Sequence, residues 1–333
     1  MTRFKPKSLA ALALLPLLLL GACAAGNAEA GTQGTAPGQS NEQAQSGEFF
    51  EINGATARER IRSTENAEAI ALLPEEIAER GTFRVAVIAG SAPLGFLDLD
   101  DATPIGSESD FAQLVADGLG LELELEVKAW ADWPLAVQSG EVDAVISNVT
   151  VTEERKELYD FASYRDDVLG WQVAGNNQEI AEISEHKDIA GLTIAVGSGT
   201  NQEKILLEWD RLNQEAGLEP IKVEYFESAA DYLLALQSGR IDAYFGPNVT
   251  AAYQVLTEPG AYKVVGTVNG GWPLSANIAV GTAKDNGLIE AIHASLGHAF
   301  ENGTYENVLE RWGLEDEKIA KTEINPPGLP KTE

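Results

Sequence analysis

The chain has 333 residues, 44% of them apolar, which is enough for two lobes with separate cores. Asp and Glu number 52 against 23 Lys and Arg; the net charge of -29 repels nucleic acid and anionic membrane, no basic stripe opposes it, and nucleic-acid binding is excluded. One cysteine and three histidines, His186, His293 and His298, show no metal-ligand spacing, so neither a metal site nor a cofactor is expected.

At the N-terminus Arg3, Lys5 and Lys7 precede the apolar run Leu9 to Leu20, the layout of an export signal. The run is too short to cross ~30 Å of hydrocarbon as a helix. It ends in Leu20-Gly21-Ala22-Cys23, and Cys23 is the only cysteine. This tetrapeptide resembles the bacterial lipoprotein box, in which the cysteine is lipidated and becomes the first residue after cleavage. An ordinary signal peptide that happens to contain a cysteine is the alternative. Residues 1–23 are therefore expected to be a lipoprotein signal peptide and 24–47, rich in Gly, Ala, Gln, Ser and Thr, a flexible tether. An N-terminal extension follows over 48–80, with helical composition from Ala55 to Arg80.

The most informative feature is an internal echo. Gln138-Ser-Gly-Glu-Val-Asp-Ala-Val-Ile-Ser-Asn-Val-Thr150 returns as Gln237-Ser-Gly-Arg-Ile-Asp-Ala-Tyr-Phe-Gly-Pro-Asn-Val-Thr250, with one extra residue. Upstream, Phe83 to Gly90 has a counterpart in Leu192 to Gly199. Each copy predicts a short strand ending in glycine, a helix capped at Ser-Gly, and a second strand. Two copies suit two α/β lobes with parallel strands, in which ligands bind beyond the strands' carboxyl ends. Those ends are the loops Ser147 to Thr150 and Gly246 to Thr250. Asn277 to Val280 reads as a further strand, Gly287 to Trp312 as one or two helices, and the proline-rich tail Asn325 to Pro330 as a surface segment.

From about Arg80 to Leu314 the chain resembles family 3 of the bacterial extracellular solute-binding proteins, the polar amino-acid receptors of ABC importers. The resemblance rests on Gly81-Thr-Phe-Arg-Val-Ala-Val87, Leu135-Ala-Val-Gln-Ser-Gly-Glu-Val-Asp-Ala144, and Thr150-Val-Thr-Glu-Glu-Arg-Lys156 with Tyr159-Asp-Phe161. Gly191 to Glu203 and Gly303-Thr-Tyr-Glu-Asn-Val-Leu-Glu-Arg-Trp312 extend it. It implies an α/β, two-lobed periplasmic-binding-protein type II fold with a two-strand hinge and a ligand cleft between the lobes. Lobe 1 would take residues 81–172 and 276–333, lobe 2 residues 173–275. It further implies a monomer that binds an amino acid or related small carboxylate, closes, and docks on a membrane permease. With the lipid anchor, that places the protein at the outer face of the cytoplasmic membrane or in the periplasm. A dehydratase-like cleft enzyme and a ligand-presenting sensory receptor are the alternatives. Glu108 and Glu203 are the only acids considered for proton transfer.

Arg155 is the leading ligand contact. Thr150-x-x-Glu153 matches a capping box, which would put Arg155 in the first turn of a helix with its guanidinium leaning back to the strand-end loop. There it could grip a carboxylate with two parallel hydrogen bonds, the task the resemblance assigns it; a surface arginine paired with Glu153 or Asp160 is the other reading. The segment Gly197 to Gln202, with Gly199, Thr200 and Asn201 at its centre, opens a helix after a strand and presents amides to an anion. Its Gly-x-Gly is half a dinucleotide fingerprint, but Gln202 stands where the third glycine belongs, so that reading is rejected. The resemblance makes Trp130 a wall of the pocket; a buried structural role remains open for it and is favoured for Trp133. Ser147, Asn148 and Thr150 on the first strand-end loop and Asn248 on the second are further polar candidates, with loop self-capping as the alternative for Asn148 and Thr150.

Two positions depart from the family pattern. Pro247 and Asn248 stand where members usually present an aspartate to the ligand ammonium, and Ile88 stands where cation-specific members carry an acid. Compensation by Glu108 or Asp110, or a ligand other than a standard α-amino acid, would follow.

Overall fold

The structure, a computed structural model, describes residues 59–331. The expected signal, Cys23, the tether and the beginning of the extension lie outside the described residues. In the extension two short helices form, Ala67–Ala71 and Glu75–Arg80. Asn66 caps the first by accepting the Ala69 amide at 2.8 Å. Pro74 opens the second, because proline is tolerated at a helix start and not within one, and so divides the stretch. Gly81, at φ 75°, ends it and hands the chain to the first strand.

The strands are β1 (Thr82–Val87), β2 (Phe96–Leu97), β3 (Pro104–Ile105), β4 (Glu122–Val127), β5 (Ala144–Val145), β6 (Tyr159–Asp166), β7 (Val168–Ala174), β8 (Thr193–Val196), β9 (Lys222–Tyr225), β10 (Ala243–Pro247), β11 (Tyr262–Asn269) and β12 (Asn277–Ala283). Apart from the hairpin β2–β3, they form two five-stranded sheets, ordered β4-β1-β5-β12-β6 and β9-β8-β10-β7-β11. In each, the first three strands are parallel and the last two join antiparallel.

The internal echo is thus an echo of topology, and its repeated residues make the same bonds twice. Asp143 accepts the Arg84 amide at 2.8 Å, and Asp242 accepts the Thr193 amide at 2.7 Å, each tying the second strand of its copy to the first. Gln138 donates to the Tyr159 hydroxyl and Gln237 to the Tyr262 hydroxyl, both at 2.6 Å. The helices Trp133–Gln138 and Ala229–Gln237 end as expected at Ser-Gly, with Gly140 and Gly239 in the left-handed region at φ 72° and 69°.

The fourth strand of each sheet arrives from the other lobe: β7 follows β6 directly, and β12 follows β11. Because β6 runs parallel to β5, and β11 parallel to β10, both crossings leave from the ends of the sheets where the β5 and β10 loops lie. The first crossing is at Asp167, ahead of the 172/173 boundary expected from sequence, which falls inside β7. The second spans residues 270–276.

Each sheet has its own apolar core. Phe111, Tyr164, Tyr305 and Trp312 anchor the first; Trp171, Trp209 and Phe245 anchor the second, with Trp171 and Phe245 stacked at 3.9 Å between centroids. Two helices, Ile289–Glu301 and Thr304–Trp312, return the chain to the first lobe, separated at Gly303 with φ 80°. The tail is more than a surface segment. Leu329 exchanges backbone hydrogen bonds with Val151 (3.1 Å) and Glu153 (2.9 Å) of lobe 1, while its side chain joins the buried cluster of lobe 2.

Candidate functional site

The loop after β5 and the helix start after β8 face each other across the crossing at Asp167. Arg155 stands between them. It lies in a 3-10 turn, Arg155–Glu157, rather than in an α-helix. The turn into it is held by Thr152, whose hydroxyl accepts the Arg155 amide at 3.0 Å. The expected Thr150-to-Glu153 box does not form: Thr150 donates to Asp167, and Glu153 accepts from Gly328 and pairs with Lys156. The guanidinium nevertheless turns back as the leaning-side-chain argument requires. It donates to the Thr150 carbonyl at 2.8 Å and, across the cleft, to the Gly199 carbonyl at 3.2 Å. Its carbon lies 5.4 Å from the Trp130 ring centre and 5.8 Å from that of Trp133. Burial lowers its pKa to about 10, with Asp167 the first charge to offset that, so it stays a cation at neutral pH. The surface alternative fails, because Glu153 and Asp160 have other partners; Asp160 holds Lys284 and Asn325.

Trp130 is half-buried and forms a wall beside both Arg155 and Gly199; Trp133 is fully buried against Tyr159. On the second lobe Thr200 caps the helix Asn201–Glu215, accepting the Glu203 amide at 3.2 Å and donating to the Gly197 carbonyl at 2.7 Å. The amide nest expected to be open to an anion is partly filled from within, since Glu203 accepts the Gly199 amide at 2.6 Å. Asn201 points to the crossings, donating to Asp167 Oδ2 (2.8 Å) and the Gly270 carbonyl (2.9 Å). Asn248 opens the helix Asn248–Thr257 and packs against Gly170 of β7, where a Cβ would stand 2.8 Å from its Oδ1.

Two of the candidates on the β5 loop turn away from the cleft. Ser147 accepts the Ile88 amide at 2.8 Å and so completes the end of β1. Asn148, at φ 54°, turns its Oδ1 to Arg165 at 2.6 Å. Arg165 is buried in lobe 1 between Glu108, at 2.7 Å, and Glu317, and Tyr164 donates to Glu108. Burial pushes Glu317 up to about 7 against the pull of Arg165. Asp110 accepts from Trp312 at 2.8 Å and pairs with Arg311. Glu108 and Asp110, offered from sequence as compensation for Pro247 and Asn248, are thus both engaged inside lobe 1.

The sequence matches the profile of the bacterial extracellular solute-binding proteins, family 3, over residues 83–315. The chain belongs to that family. This family member is 28% identical over 259 residues to the arginine-binding protein ArgT of Corynebacterium glutamicum, covering 78% of this chain and 83% of that one. It is also 28% identical over 240 residues to the L-cystine-binding protein TcyJ of Escherichia coli K12, covering 72% and 85%. Among solved structures, an ancestral arginine-binding protein bound to arginine superposes with a TM-score of 0.61 at 30% identity, covering 70% and 98%.

Sequence reasoning missed two features of this family member's cleft. Asp167, 3% exposed, accepts from Thr150 of one lobe and Asn201 of the other on the same oxygen. The sequence carried only a slight signal, the acidic pair of Asp166, which ends β6, and Asp167, since nothing in that pair shows which of the two is buried. The second is Glu154, which pairs with Lys204 across the cleft. Nothing in the spacing of two residues fifty positions apart announces that contact.

Proposed function

We propose that this chain is the extracytoplasmic, lipid-anchored substrate-binding subunit of an ABC importer, which binds an amino acid or a related small carboxylate by closing its lobes. The observation that carries the reading is the Arg155 guanidinium, standing in the cleft on an aromatic wall and reaching both lobes. A planar cation with further N–H groups beyond those two bonds suits a carboxylate. Thr150, Trp130, Gly199, Thr200, Asn201 and Asn248 would surround the bound solute. The relatives support amino acids as the class, since arginine- and cystine-binding proteins are among them. The lipid anchor rests on Cys23 and its small-residue context; the family's extracellular assignment is consistent with it. Export, a monomeric state and docking on a permease belong to the same reading.

A dehydratase-like enzyme is the weaker reading. Glu108 and Glu203, the acids considered for proton transfer, are committed to Arg165 and to the Gly199 amide. A thermal-shift screen of the Cys23→Ala protein against proteinogenic amino acids, amines and small peptides tests the proposal. A ligand-dependent rise in melting temperature without turnover supports it. Consumption of the ligand would overturn it.

A further inference from the structure

The cleft floor holds a carboxylate that the reading above leaves without a task. Asp167 lies where β6 crosses to β7, beside the second crossing at Gly270, and is 3% exposed. Thr150 Oγ1 and Asn201 Nδ2 both donate to its Oδ2, at 2.7 and 2.8 Å; its Oδ1 accepts no hydrogen bond from a described residue. Gly270 passes so close that a Cβ there would stand 1.8 Å from Oδ2. A buried carboxylate is costly unless a cation faces it. The two guanidiniums whose charge reaches Asp167 are both engaged elsewhere. Arg165 is in contact with Glu108 and Glu317, and Arg155 directs its bonds to the Thr150 and Gly199 carbonyls. Arg165 is thus taken up by Glu108 and Glu317, and among the described residues no cation is in ion-pair contact with Asp167.

We propose that Asp167 receives the ammonium of the ligand, so that the hinge, and not the loop after β10, supplies the acid that makes the site select zwitterions over simple carboxylates. The inference rests on the cleft being the ligand site. Arg155 and Asp167 are joined through Thr150, whose carbonyl accepts from the guanidinium at 2.8 Å and whose hydroxyl donates to the carboxylate at 2.7 Å. A cation and an anion side by side complement the carboxylate and ammonium that an α-amino acid carries on neighbouring atoms. Pro247 and Asn248 then need no acidic replacement. Because Thr150 and Asn201 come from different lobes, Asp167 is also the group around which both lobes are aligned when the ammonium arrives.

The test uses calorimetry with the proteinogenic amino acids and L-cystine, each paired with the acid that lacks its α-ammonium, such as L-glutamine with glutaramate. The unchanged protein should prefer the amino acid by roughly tenfold or more, the worth of a charge-assisted hydrogen bond. Asp167→Asn, whose folding is checked by circular dichroism, should lose that preference while binding of the des-amino acid holds or improves. Unchanged preference in Asp167→Asn, or an equal loss for both members of a pair, overturns the assignment and leaves the solute-binding reading intact. Should the variant not fold, equal affinity of the unchanged protein for both members overturns it. Absence of binding by any amino acid overturns both.

Discussion

Arg155 of the first lobe donates to the Gly199 carbonyl of the second at 3.2 Å, so one side chain touches both walls of the cleft. That position makes it the most sensitive point for ligand affinity. Arg155→Ala is expected to abolish the thermal shift given by carboxylate ligands, a loss of about 2 kcal/mol or more. Arg155→Lys should recover it only in part, because a point charge replaces a planar fork. Equal shifts in the unchanged and Arg155→Ala proteins would remove the central contact.

Glu154 and Lys204 join the lobes at the rim of the same cleft, with Glu154 largely exposed. An exposed pair of this kind is worth up to about 1 kcal/mol and is screened by salt. Glu154→Gln should weaken ligand binding by no more than about fivefold at low ionic strength. In high salt the two proteins should bind alike, and calorimetry at two salt concentrations checks the difference.

Glu317 gives a pH dependence with a definite sign. Burial raises its pKa from 4.5 to about 7 in the folded protein. Between those values the unfolded chain has released a proton that the folded chain keeps, so this group's contribution to stability falls as pH rises. It is fully favourable below the lower value and spent above the upper one. The loss is on the order of 3 kcal/mol. Denaturant titrations from pH 4 to 8 should show Glu317→Gln lacking this decline; parallel curves for the two proteins would refute the assignment.

The tail braces the two lobes together. Leu329 is 5% exposed, and a Cβ on Gly328 would meet the Val151 carbonyl at 2.4 Å. Leu329→Ala should cost about 2 kcal/mol or more in unfolding free energy. Gly328→Ala should free the segment, measured as faster amide exchange at Leu329 and Glu153, whose amides pair across this joint.

Much of this was legible in the chain. The repeated Gln-Ser-Gly-x-x-Asp-Ala specified a helix cap and a strand, whose signals lie within a few residues, whereas the aspartate that ties two strands in each copy bonds to a residue about fifty or more positions away and emerged only in the fold. Arg155 was marked by the family resemblance more than by its own spacing, and the turn that carries it is 3-10, with its amide held by the Thr152 hydroxyl. Asn148 and Ser147 were placed on the right loop, but side-chain direction there depends on a positive φ at Asn148 and on partners in other strands.

What the sequence by itself determined is the twofold α/β plan and the loops that end its strands, since period, capping and strand ends are encoded within a few residues of each other. Only the tertiary structure decided which acids are spent inside lobe 1 and which one lies at the hinge. Glu108, Glu317 and Asp167 are distinguished by burial and by partners far along the chain, and burial is a property of the assembled sheets rather than of any segment.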